Sequence, residues 1–165
     1  MPTSTYIPLA NITLGSSATS VTFSSISQSY RDLVLVAAAK ITAGTGNLTL
    51  RFNSDSGTNY TGISLEGTGT AAQSGFFSST QIYINVNNGS IYTASGIDII
   101  NIMDYSTTDK HKTVLARGNG LGSGNSVGGN AARWANTSAI TTIQVLAGGA
   151  TFASGSTFAL YGIAA

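Results

Sequence analysis

Apolar residues in this chain alternate with polar ones at a period of two, and nowhere do they recur at helical spacing. In Asn47-Leu48-Thr49-Leu50-Arg51-Phe52, residues Leu48, Leu50 and Phe52 fall on one face. In Gln81-Ile82-Tyr83-Ile84-Asn85-Val86 the apolar set is Ile82, Ile84 and Val86, which leaves Tyr83 on the opposite face. Thr142 to Ala147 groups Ile143, Val145 and Ala147, and a further strand begins at Val21 and ends near Ile26. The last strand, Thr157 to Ile163, carries Phe158 and Leu160 on one side and Tyr161 and Ile163 on the other. This pattern predicts strands that bury one face. Asp32 to Ala37 reads instead as buried on both faces. Ile97 to Met103 breaks alternation at Ile99-Ile100, either through a β-bulge or because both faces are covered.

Turn signals separate these strands. They include Gly15-Ser16-Ser17, Ala43-Gly44-Thr45-Gly46, Ser54-Asp55-Ser56-Gly57, Asn87-Asn88-Gly89 and Gly148-Gly149. Glycine supplies the positive φ that tight hairpins need, and Asn or Asp tolerates it. The expected fold is all-β: an antiparallel β-sandwich, jelly-roll-like, of about nine or ten strands. No repeat or linker divides the chain, so residues 1–165 are expected to form a single domain. The segment 118–130 stands out as a long, exposed, glycine-rich loop.

Charged residues make up only 8% of the chain, against about 25% in an average domain. Ser, Thr, Asn and Gly supply the missing polarity. The net charge of +1 leaves no electrostatic footprint for nucleic acid or an acidic membrane. With no cysteine and the single histidine His111, disulfides, thiolate chemistry and multi-histidine metal sites are excluded. No cofactor or metal is expected. The N-terminus lacks a signal-peptide pattern, and no apolar run approaches the roughly 18 residues of a membrane span. Synthesis in a reducing cytoplasm is the expectation.

Several short motifs hint at chemistry. Gly124-Asn125-Ser126-Val127-Gly128 has the spacing of a serine-hydrolase elbow, but that serine needs a strand-to-helix turn and no helical pattern follows. Asn53, Asp55, Gly57 and Asn59 alternate as Ca²⁺ ligands do, yet the twelfth position is Ser64 rather than Glu, and a plain Asx turn is the simpler reading. Asp104, Tyr105, Asp109, Lys110, His111 and Lys112 form the main charge cluster, read as a solvated strand end. Five Asn-x-Ser/Thr sequons arise naturally in a chain of this composition. Catalytic residues are therefore expected to be none. Tyr83, Trp134 and Tyr105 are the candidate contacts, either for a protein interface or for a glycan.

Three stretches together resemble a known group. They are Arg51-Phe52-Asn53-Ser54-Asp55-Ser56-Gly57-Thr58-Asn59-Tyr60; Ile102-Met103-Asp104-Tyr105 followed by Lys110-His111-Lys112-Thr113; and Trp134, Ala139-Ile140-Thr141 and the closing Phe158-Ala159-Leu160-Tyr161-Gly162-Ile163. In this order, over roughly residues 19–163, the chain resembles small tailed-bacteriophage virion proteins, structural or tail-associated. The resemblance implies an all-β virion component and carries over no catalytic residues. The expected function is non-enzymatic: a capsid decoration protein on the particle surface. The alternative is a tail-fibre or receptor- or carbohydrate-binding β-sandwich. Expected partners are copies of itself, as a trimer, and other virion proteins such as the major capsid protein. A host-surface glycan is a further candidate. A low-charge β-surface suits a subunit that neighbours will cover, because buried hydroxyls and amides cost less desolvation than buried ions.

Overall fold

A computed structural model describes residues 4–84, 91–94, 96–120 and 126–164. The described residues form strands and turns without a helix. Among the described residues there are fourteen strands, more than expected because several are very short: β1 Tyr6–Thr13, β2 Ser20–Phe23, β3 Asp32–Ala39, β4 Thr45–Gly46, β5 Thr49–Phe52, β6 Tyr60–Gly67, β7 Ala72–Ser79, β8 Ile82–Tyr83, β9 Ile91–Tyr92, β10 Gly96–Met103, β11 Lys112–Gly120, β12 Ser126–Trp134, β13 Ile143–Leu146 and β14 Thr157–Ile163. Val86 and the Asn87-Asn88-Gly89 turn lie outside the described residues.

Every pairing is antiparallel. An eight-stranded sheet runs β1-β14-β3-β10-β11-β12-β6-β7, and a four-stranded sheet runs β2-β13-β5-β8. The short β4 and β9 pair with each other. The two larger sheets share one core in a sandwich-like arrangement. Leu33, Leu35, Ile100, Ile102, Phe158 and Leu160 from the long sheet join Val21, Phe23, Leu50, Phe52, Ile143 and Val145 from the short one. The alternation read for the segments around β5, β13 and β14 is the alternation observed: Leu48, Leu50, Phe52, Ile143, Val145, Ala147, Phe158 and Leu160 are all buried.

One open alternative is resolved and one local reading is corrected. β10 contains no bulge. Its register with β3 and β11 is unbroken, and the side chains it turns inward are Asp98, Ile100 and Ile102. Ile97 therefore points outward and is exposed. The expected loop at 118–130 is largely strand, since Gly118–Gly120 and Ser126–Asn130 belong to the β11–β12 ladder; residues 121–125 lie outside the described residues. The reason for at least one glycine there is steric. A Cβ on Gly118 would clash with Asp98 Oδ1, so the carboxylate of β10 occupies the space a side chain would need.

Candidate functional site

The aromatic residues expected as contacts divide in two. Trp134 is 1% exposed and Tyr105 is fully buried, so neither ring can meet a partner or a sugar. Both act as ties within the fold. Trp134 stacks on Tyr60 with centroids 6.2 Å apart and meets Phe52 edge-on at 5.6 Å. Its indole Nε1 donates to Asp55 Oδ2 at 2.7 Å. Asp55 also accepts from Asn59 Nδ2 at 2.9 Å and from the Gly57 amide at 2.8 Å. The turn is thus an Asx turn whose carboxylate is already occupied by protein donors. Burial alone would raise the Asp55 pKa, but these three hydrogen bonds and the nearby Arg51 charge hold it below its ordinary value. Tyr105 donates its hydroxyl to the Ser27 carbonyl, and its own carbonyl accepts from the Ile140 amide at 2.8 Å.

Asn53 completes this cluster. It sits at φ 50° beside Ser54 at φ 59°, both in the left-handed region, and the Asp55 amide closes the turn onto the Phe52 carbonyl at 2.8 Å. Its side chain accepts from the Thr141 and Thr142 amides and donates to the Ala139 carbonyl. The residues 51–60, Tyr105, Trp134 and 139–141 singled out in sequence therefore meet at one end of the molecule. Their hydrogen bonds and ring contacts hold the fold together there.

The charge cluster behaves differently from its expected solvated form. Lys110 and His111 are exposed, and Lys110 forms a 3.6 Å surface ion pair with Asp104. Lys112 is fully buried. Its ammonium donates to the carbonyls of Thr107 at 2.6 Å, Lys110 at 2.9 Å and Thr137 at 3.1 Å. Burial pushes its pKa down. His111 stands beside the Lys112↔Trp134 pair, whereas Ser126 pairs with Gly120 at the other end of the same ladder. Eight residues of strand separate the two ends, roughly 27 Å. Ser126 is buried on a strand, and it and His111 form no dyad; Gly124 and Asn125 lie outside the described residues.

Two surfaces remain with the character of a site. The first is the outer face of the sheet extension β11-β12-β6-β7. Phe76 is 70% exposed, Val127 65%, Leu65 64%, Ile63 53% and Leu115 41%, with Ile97 of the adjoining β10 at 53%. Register sets them in adjacent rows. Leu115, Ala131, Ile63 and Phe76 lie side by side across four strands. The neighbouring row is Arg117, Gly129, Leu65 and Ser74, and the next holds Val127. Of the large hydrophobic side chains exposed among the described residues, only Tyr6, on β1 at the far edge of the sheet, lies elsewhere. Arg117 and Arg133 share the outer face, while the two acidic residues of these strands and β10, Glu66 and Asp98, turn inward.

The second surface is a cleft of about 840 Å³ beside Tyr83, lined by Ser20, Asn47, Gln81, Gln144 and Thr151 among others. Tyr83 is half-buried and packs edge-on against Phe77 at 5.6 Å. Uncharged amides and hydroxyls around one tyrosine ring can hydrogen-bond and stack on a polyol.

No family model matches the chain, and no curated protein matches it. Among the described residues, no group of three or more His, Cys, Asp or Glu side chains is placed to hold a metal ion. The strand pattern pointed to Tyr83, which lines the second surface, but to nothing on the first. The exposed face was hidden because Ile63 and Leu65 alternate as core residues do, and only the register reveals that they point away from the core.

Proposed function

We propose that this chain is a non-enzymatic structural protein of a tailed-bacteriophage particle, a capsid decoration protein that acts as a homo-oligomer on the virion surface. The observation that carries the reading is the apolar outer face of β11-β12-β6-β7 with the adjoining Ile97 of β10. Six large side chains gathered on one face form the kind of continuous patch that marks an interaction surface. The occupant is another copy of this chain. A two-fold contact would press Arg117 and Arg133 of both copies into one shared patch that contains no carboxylate. A heterologous, head-to-tail contact avoids this and closes into a ring, which fits a trimer. Scarce charge elsewhere leaves hydroxyls and amides to contact further virion proteins at modest desolvation cost.

The strand order supports a jelly-roll reading of the sandwich. Setting aside the β6–β7 and β11–β12 hairpins and the β4/β9 pair, eight strands remain. Numbered one to eight in chain order, they lie 1-8-3-6 in one sheet and 2-7-4-5 in the other. First pairs with last, second with seventh, third with sixth and fourth with fifth, as in one long hairpin rolled up, an architecture used by viral capsid proteins. The two hairpins are then insertions that build the apolar face.

The test is quantitative mass spectrometry of purified particles. A decoration protein is found at a copy number comparable to that of the major capsid protein. Absence from particles ends the reading. The cleft at Tyr83 favours a second function for the same subunit, capture of a host-surface glycan. Glycan-array binding lost on Tyr83→Ala supports it, and an array with no signal for the wild type removes it.

A further inference from the structure

The inner face of the same extension carries an anomaly of its own. Glu66 is 4% exposed, Asp98 3%, Ser126 2% and Asn130 4%. Both carboxylate oxygens of Glu66, Asp98 Oδ2, Ser126 Oγ and Asn130 Oδ1 are buried without a hydrogen-bond partner. Neither carboxylate takes part in the ion pairs found among the described residues. Unpaired buried polar groups cost free energy, and buried carboxylates without a counter-charge cost most.

Register shows that these groups surround one spot. Asp98, Gly118, Gly128 and Glu66 form a single row across β10, β11, β12 and β6. Ser126 and Asn130 flank Gly128 two residues away on either side, on the same face. The result is a basin with a floor of two glycines, a carboxylate at each end and a neutral oxygen on each side. The Asn130 amide is oriented by its Nδ2, which donates to the Tyr83 carbonyl at 2.8 Å and leaves Oδ1 as the free acceptor.

We propose that this basin binds one Ca²⁺ ion through Asp98, Glu66, Ser126 and Asn130. The dimensions agree. Four adjacent strands at about 4.8 Å place the Asp98 and Glu66 Cα atoms roughly 14 Å apart. The Asp98 carboxylate already lies over Gly118, one strand in. A Glu66 side chain extended across Gly128 covers another ~4–5 Å. The remaining gap of about 5 Å is two Ca–O distances of 2.3–2.6 Å. Two carboxylates balance the divalent charge, and neutral oxygens complete a flexible, mixed donor set. Mg²⁺ is disfavoured, because it demands a tight octahedron and keeps its waters. With two anionic ligands the affinity belongs to the weak range, Kd about 10⁻⁴–10⁻³ M.

The experiment uses the full chain stripped with chelator. Equilibrium dialysis with CaCl2 should give one ion per chain. Thermal melts should rise by roughly 5–10 °C at a hundredfold excess over Kd. Asp98→Asn and Glu66→Gln should each abolish both effects, while the surface variant Asp104→Asn retains them. An absence of binding by the wild type up to about 10 mM, well above the expected Kd, overturns the proposal. So does binding that survives in both basin variants, which would place the ion elsewhere. An equal rise with MgCl2 overturns the assignment to Ca²⁺. The wild-type titration stands by itself should a variant fail to fold.

Discussion

The long sheet buries opposite kinds of side chain in its two halves. Across β14, β3 and the Met103 end of β10, the inward residues are Phe158, Leu160, Leu33, Leu35, Ile100 and Ile102, and the four-stranded sheet covers them. In the extension, towards Gly67 and Ser126, the inward residues are Asp98, Glu66, Ser64, Ser126 and Asn130, while Leu65, Val127 and Ile97 face out. The first half satisfies the hydrophobic effect within one chain. The second defers it. Its apolar side chains are left exposed, and several of its inward oxygens are left without a hydrogen-bond partner. On the proposals above, this region is completed only when a second copy covers its outer face and a cation occupies its inner one.

Perturbing each region should sharpen the contrast. The largest effect belongs to the well-packed end. Trp134→Ala removes an indole that stacks on Tyr60 and meets Phe52 edge-on, together with its bond to Asp55. It should cost about 3–5 kcal/mol of unfolding free energy in denaturant titration. Lys112→Met leaves three carbonyls without their donor, and a loss of about 2–4 kcal/mol is expected by the same method. Asp98→Asn should act in the opposite direction. In chelator it removes an uncompensated buried charge, burial having pushed the Asp98 pKa up to about 7. A gain of about 1–3 kcal/mol is expected, and a loss would mean that the inner basin is not strained in the metal-free chain. The smallest effect is on the acid side. Asp55 is held below its ordinary value of 3.8, so its ionised form adds stability above that pH and the contribution fades as the pH falls through the lower folded value. Asp55→Asn should flatten that part of the stability–pH curve.

The first half was legible in sequence because its alternation and its burial agree. Leu48, Leu50, Phe52, Ile143, Val145, Phe158 and Leu160 are inside, as the period of two requires. The extension was not. A strand such as Tyr60–Gly67 offers Ile63 and Leu65 on one face and Ser64 and Glu66 on the other, and local pattern assigns the aliphatic face to the core. Tertiary register assigned it to solvent. The glycines at 118–130 suggested a loop because sequence does not show that the Asp98 carboxylate fills the space above Gly118. Trp134 and Tyr105 read as surface contacts in the sequence because an aromatic residue has the same letter in a core as at an interface. Their partners, Asp55 and Ser27, are 79 and 78 residues away in the chain. In the sequence Lys112 groups with its exposed neighbours for the same reason: the carbonyls of Thr107 and Thr137 that hold it come from separate turns.

The central claim is that the outer face of β11-β12-β6-β7 is covered by another copy of the chain. Sedimentation equilibrium of the wild type beside Phe76→Ser and Leu65→Ser tests it most directly. Both side chains are more than 60% exposed, so each substitution should leave monomer stability within about 0.5 kcal/mol. The account predicts a trimer for the wild type and a monomer for the two variants. A monomeric wild type at high protein concentration, or a trimer indifferent to both substitutions, would contradict it.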